Sequence, residues 1–239
     1  MTGTLYRRER RQWQQSKWMV GLLLVGLLIS SPSTAQRGSG REKSTLRIYL
    51  ARHGQTDWNL RGVTQGRTDI PLNETGREQA RQLKTRLAGI HLDAVYSSTL
   101  RRSRETAEIA HGQVAITNLS DLGERGFGIF EGRSTSDPDF QTRQWNADDS
   151  LDGGESLTVW RNRVRATIES IHKKHSSGSI LIVGHNYTNR MILSVIFGLT
   201  VEQIRSVDQA NDELYLIELP TIGSPHLWKL ITEANLKDL

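Results

Sequence analysis

Two periodicities alternate along most of this chain. Leu46-Arg-Ile-Tyr-Leu-Ala51 and Leu92-Asp-Ala-Val-Tyr-Ser97 are short β-rich runs. Ser179-Ile-Leu-Ile-Val183 shows no polar alternation at all, as expected of a central strand buried on both faces. Between these runs, apolar residues recur every three or four positions, the spacing of one helical face. Ala80, Leu83, Leu87 and Ile90 form one such stripe, and Leu157, Trp160, Val164, Ile168 and Ile171 form a longer one that stops by Gly178. Thr75-Gly-Arg-Glu78 has the Thr-x-x-Glu spacing of a capping box and so marks the entry to the first helix. Further helices are predicted near Thr99–His111 and Tyr187–Phe197, with late strands at Glu213–Leu219 and His226–Ile231. Residues 112–154, crowded with Gly, Asp and Ser, read as loop. Strands alternating with helices predict an α/β domain over residues 45–239, a three-layer sandwich with a mostly parallel central sheet flanked by helices.

The N-terminus follows a different pattern. Arg7, Arg8, Arg10, Arg11 and Lys17 precede an apolar run of 12 residues, Trp18 to Ile29, and then Ser-Ser-Pro-Ser-Thr-Ala35. Basic, apolar and small-residue segments in that order form a secretory signal, with Ser33 and Ala35 at the small positions. The run falls short of the roughly 20 residues that cross a bilayer comfortably as a helix, which favours a cleaved signal over 1–35. The competing reading is an uncleaved anchor, tethering the protein through residues 18–30 with its basic end held inside. Either way the working domain is expected to be exported, to a periplasmic or extracellular location. Residues 36–44 read as a flexible linker.

Charge adds one exclusion. The formal net charge is +5, but +4 of it lies in residues 1–35, where five basic side chains face one Glu9. The remainder is nearly neutral, so a nucleic-acid-binding domain loses its electrostatic footprint. The chain has no cysteine, which removes disulfides, thiol nucleophiles and thiolate metal sites.

In parallel sheets the chemistry gathers just past the carboxyl ends of the strands. Those positions hold Arg52-His53-Gly54, Arg102 and Gly184-His185-Asn186. Arginine presents a planar fork of donors suited to phosphate, and a histidine can attack phosphorus. Gly54 permits close backbone approach and is a candidate amide donor.

Read together and in order, these segments resemble the histidine phosphatase superfamily, the phosphoglycerate-mutase-like fold. Leu50-Ala-Arg-His-Gly-Gln-Thr-Asp-Trp-Asn59 is similar to its signature. Gln65-Gly-Arg-Thr-Asp-Ile-Pro-Leu72 is similar to the loop that follows, and Ser97 to Ala107 to the segment bearing the second phosphate arginine. Leu122-Gly-Glu-Arg-Gly-Phe-Gly128 resembles the acid-bearing loop; Gly153-Gly-Glu-Ser156 and Val183-Gly-His-Asn186 match the later blocks. The resemblance covers about residues 46–220. It implies that His53 is the nucleophile, forming a phosphohistidine, that Glu124 is the proton donor, and that His185 completes the catalytic set. It further implies that Arg52, Asn59, Gln65, Gly66, Arg102 and His185 bind a small phosphorylated substrate, with no metal and no cofactor. Asn186 departs from the glycine the family often carries there, which is expected to alter the pocket wall.

Three functions share these residues. A mutase of this family has a long insertion between the acid loop and the Gly-Glu-Ser block, whereas here only Arg125 to Asp152 separate Glu124 from Gly153. The short cap favours hydrolysis. An inactive binding protein on the same fold would be expected to lack His53, an arginine or the acid. Substrate class is left open, since Arg133, Arg143 and Trp145 could contact a second anionic group or a base, or be an ordinary solvated loop.

Overall fold

The computed structural model describes residues 44–230. The predicted signal or anchor segment, nearly all of the linker and the end of the last predicted strand lie outside the described residues. Six strands form one sheet: β1 (Thr45–Arg52), β2 (Ala94–Ser98), β3 (Ile116–Leu119), β4 (Gly178–Gly184), β5 (Leu214–Pro220) and β6 (His226–Leu230). They lie in the order β3-β2-β4-β1-β5-β6. The β1–β4, β2–β4 and β2–β3 pairs are parallel; β5 pairs antiparallel to both β1 and β6. Among the described residues no helix is long and apolar enough to cross a membrane.

Among the described residues seven α-helices accompany the sheet: α1 (Asp57–Leu60), α2 (Glu74–Arg86), α3 (Arg101–His111), α4 (Pro138–Arg143), α5 (Leu157–Lys174), α6 (Asn186–Phe197) and α7 (Val201–Ser206). Strand alternation sorts the sheet into two apolar faces. Leu46, Ile48, Leu50, Ile180, Ile182 and Ile217 pack with the predicted α5 stripe, with Met191 and Ile192 of α6, and with Ile204 of α7. Tyr49, Ala51, Val95, Leu181, Val183 and Leu216 pack with Leu83 of α2, the following Leu87, and Ala107 and Ala110 of α3. The central strands are buried on both sides, so the predicted three-layer sandwich with a mostly parallel sheet is what forms.

Two local expectations are corrected. The capping box at Thr75 does not form: α2 begins at Glu74, and Asn73 caps it by accepting from the Gly76 amide at 2.9 Å. Thr75 therefore sits inside the first turn, where its side chain cannot serve as the cap. Capping boxes occur instead at Thr56 with Asn59, opening α1, and at Thr200 with Gln203, opening α7. Residues 112–154 are not only loop. They contain β3, α4 and two 3₁₀ turns (Ser120–Leu122 and Gly128–Phe130). Phe127, Phe130, Phe140 and Leu151 give this segment a small core of its own, against which Tyr187 packs. Its anchor is Arg125, fully buried, whose guanidinium donates to the carbonyls of Glu155 (2.8 Å) and Gln144 and lies over the Trp160 ring.

Candidate active site

Sheet register brings the signature histidines together. Arg52 is the direct partner of Gly184 across the β1–β4 pair, so His53 and His185 leave adjacent strands at the same level. The His53 amide donates to the Gly184 carbonyl at 3.0 Å, and the two imidazoles lie 5.1 Å apart between ring centroids. A Cβ at Gly184 would collide with the Asn189 carboxamide, so the strand must end on glycine for α6 to start here.

His53 is 3% exposed. Its Nδ1 lies 2.8 Å from the Gly54 carbonyl. A carbonyl only accepts, so the proton sits on Nδ1 and the Nε2 lone pair is free. Burial, with Arg102 and Arg52 nearby, holds this imidazole well below its usual range, and it is neutral at pH 7. The Gly54 amide is not the ligand donor expected of it, because it is already bonded to Thr106 Oγ1 at 3.0 Å.

The arginines are fixed by backbone carbonyls. Arg102, fully buried, donates through Nη1 to Thr68 and through Nη2 to Gly66, both at 2.8 Å. Arg52 donates to Gln209 at 2.8 Å. In both, Nε is buried without a partner among the described residues. Burial depresses both, Arg102 to about 10, which leaves each charged at neutral pH. Arg101, the alternative on sequence, is exposed and reaches only toward Glu105. Gly66 takes part through its carbonyl. Its φ is +51°, and a side chain there would strike the Glu131 carboxylate. Gln65 is buried beside it, its Oε1 without a partner among the described residues. Asn59 is half-buried; its Oδ1 accepts from the Thr56 amide at 3.1 Å, so only its amino group could reach a ligand.

Glu124 is 6% exposed and meets the first turn of α6. Oε1 accepts from the Arg125 amide (3.0 Å) and the Thr188 amide (2.9 Å), and Oε2 from the Tyr187 amide (3.2 Å), while the Thr188 hydroxyl gives its one proton to the Gly123 carbonyl at 2.8 Å. A helix N-terminus is where a carboxylate is best held. The other acidic residues of the loop are structural. Glu131 accepts from the amides of Arg67, Thr68 and Phe127, and Glu155 pairs with Arg163 at 2.7 Å.

In the loop over residues 125–152, Arg143 is engaged by Asp149 and Asp152, and Trp145 is stacked on Tyr187 at 5.5 Å. Neither side chain is free as it stands to meet a second group of a substrate. Asn186 bonds Asp208 at 3.1 Å and Arg190 at 2.8 Å, which ties α6 to the segment before β5. Sequence reasoning missed Asn189 and Gln209, both buried. Asn189 donates to the Ala51 carbonyl and to Gln209, and Gln209 donates to the Leu50 carbonyl. Together they clamp the end of β1. A polar residue inside the apolar α6 pattern was the one available signal.

A sequence profile of the histidine phosphatase superfamily (branch 1) matches residues 48–226. "Uncharacterized phosphatase PhoE" of Bacillus subtilis (strain 168) is 32% identical over 153 residues, 63% of this chain and 77% of that protein. "Probable phosphoglycerate mutase GpmB" of Escherichia coli O1:K1 / APEC is 32% identical over 163 residues, 64% of this chain and 76% of that one. The structure of YhfR from Bacillus stearothermophilus superposes with a TM-score of 0.68 at 30% identity, over 76% of this chain and 95% of its own. A profile match spanning β1 to the start of β6, on a sheet whose register sets two histidines side by side, makes this chain a member of the histidine phosphatase superfamily.

Proposed function

We propose that this protein is a phosphomonoester hydrolase acting on small phosphorylated metabolites through a phosphohistidine at His53. The single observation that carries the reading is the state of His53: a buried, neutral imidazole with its proton held at Nδ1 by Gly54 and its Nε2 lone pair left free. Nε2 attacks phosphorus, the ester P–O bond breaks, and Glu124 gives its proton to the departing alkoxide. Water then adds to the phosphohistidine. Glu124 recovers the proton, the N–P bond breaks, and its electron pair returns to Nε2. Arg52, Arg102, His185 and the Asn59 amino group offset the charge on the non-bridging oxygens, while Gln65 and Gly66 shape the wall beside them. The set requires no metal and no cofactor.

The likeness to a mutase supports a second reading, transfer of the phosphoryl group to a phosphoglycerate instead of to water. The basic-apolar-small pattern of residues 1–35 supports export, with that segment cleaved or retained as an anchor through residues 18–30. Phosphate release from an aryl phosphate by the purified full chain, with a chelator present, tests the main reading. Release is expected to survive the chelator and to fall at least about 1,000-fold in His53→Ala. Activity in that variant would move the nucleophile elsewhere, and loss on chelation would overturn the metal-independent chemistry. Phosphoryl transfer between phosphoglycerates at a rate above hydrolysis would establish the mutase reading.

A further inference from the structure

Ser98 is the last residue of β2, and neither the signature motifs nor the proposed chemistry gives it a role. Register sets it next to the start of α6: Ser97 pairs with Val183, so Ser98 lies level with Gly184 and reaches His185. Its Oγ is 2.7 Å from His185 Nε2. Both residues are fully buried, so water does not compete for either group.

The proton on this contact can be located by counting donors and acceptors. Ser98 Oγ already accepts from the Leu100 amide at 3.2 Å. The hydroxyl has one proton to give, and among the described residues His185 Nε2 is the acceptor within reach of it. Burial and the flanking Arg102, His53 and Arg52 hold His185 well below its usual range, so the ring is neutral and carries a single proton. With Nε2 accepting from Ser98, that proton belongs on Nδ1. Nδ1 is itself buried and has no partner among the described residues. A buried donor left unpaired is costly, about 1–3 kcal/mol, and a phosphoryl oxygen would satisfy it.

We propose that Ser98 is a positioning residue that locks His185 in its Nδ1-protonated form, so that this ring donates to the substrate's oxygen while the neighbouring His53 keeps a lone pair for attack. The inference rests on the phosphate-handling reading of the site. Two neutral histidines 5.1 Å apart thereby acquire opposite roles from their second nitrogens alone. Gly54, an acceptor, pulls the His53 proton inward. Ser98, a donor, pushes the His185 proton outward. A carboxylate in place of Ser98 would take the proton onto Nε2 and present the wrong nitrogen. An alanine would leave both forms open.

The test reads the proton directly. In the full chain labelled with ¹⁵N-histidine, long-range proton–nitrogen correlations, assigned against His185→Gln, are expected to show an unprotonated Nε2 and a protonated Nδ1. The reverse pattern in the wild-type protein would overturn the proposal whatever the activity, so its failure is distinct from failure of the phosphatase reading. Ser98→Ala is expected to show exchange between both forms and about 10–100-fold lower kcat/KM, the usual range for loss of a partner that orients a ligating histidine. Ser98→Thr, which keeps the hydroxyl, is expected to restore the single form and most of the rate. A wild-type nitrogen pattern in Ser98→Ala would also overturn it.

Discussion

At the scale of single residues, Glu124 shows how one carboxylate can be both anchored and reactive. Two backbone amides, of Arg125 and Thr188, converge on Oε1, while Oε2 has one donor, the Tyr187 amide at 3.2 Å. The less occupied oxygen is the one able to carry a proton to a leaving group. Glu124→Gln keeps the shape but cannot transfer a proton, so turnover of an alkyl phosphomonoester is expected to fall about 100- to 10,000-fold. An aryl phosphate, whose leaving group needs little protonation, should lose far less. Equal losses on both substrates would leave Glu124 with only the task of ordering the α6 entrance. The candidates for nucleophile and acid, and the preference for Arg102 over Arg101, come from motif order in the sequence; the structure buries Arg102 and leaves Arg101 exposed. The proton positions on His53 and His185 were not legible in the sequence. They depend on Gly54, which is local, and on Ser98, which is 87 residues away from His185.

At the scale of elements, the α2 entrance separates local spacing from tertiary fit. Thr75-Gly-Arg-Glu78 satisfies the capping-box pattern, yet Asn73 is the cap. The reason lies outside the helix. The Asn73 amide donates to the Gln55 carbonyl at 3.0 Å and its Nδ2 to Gln55 Oε1 at 3.0 Å. Gly76 packs so closely on the Gln55 backbone that a side chain there would collide. The loop after β1 thus fixes where α2 begins. Asn73→Ala is expected to lower stability by about 1 kcal/mol, whereas Thr75→Ala, on an exposed side chain, should stay within about 0.5 kcal/mol. Urea midpoints with unchanged slopes would measure both, and a larger loss at Thr75 would restore the capping box. The helices of four to six residues (α1, α4 and α7) escaped the periodicity because they are too short to show a helical repeat, and the four-residue β3 (Ile-Thr-Asn-Leu) has no apolar alternation to mark it. The Thr200-x-x-Gln203 spacing at the α7 entrance was a local signal that went unread.

At the scale of the whole molecule, gathering two histidines and two arginines past the carboxyl ends of the central strands has a stability consequence. His53 and His185 both have folded-state values well below 6.5, while the unfolded chain protonates near that value. Below pH 6.5 the unfolded state therefore binds protons that the native state refuses. Their contribution is present above that pH and is lost as pH falls, by up to about 1.4 kcal/mol per pH unit for each histidine. Glu155, held below its usual range mainly by Arg163 against the opposing effect of burial, adds its loss only at lower pH, below about 4.5. Denaturation midpoints should thus begin to fall between pH 6.5 and 5, and His185→Gln should flatten that limb. A flat wild-type profile over this range would mean that the two rings do not refuse the proton. The sequence by itself determined the sandwich, the family and the chemical groups, because periodicity and motif order are properties of neighbouring residues. Only the tertiary structure decided which nitrogen of each histidine carries its proton, what holds Arg52 and Arg102 in place, and that Arg143 and Trp145 are already engaged. Most of those outcomes depend on partners distant in the chain: Ser98 for His185, Gln209 for Arg52, Gly66 and Thr68 for Arg102, and Tyr187 for Trp145. Gly54 beside His53, and Asp149 and Asp152 near Arg143, are close in the chain, but only the folded backbone turns them toward those groups.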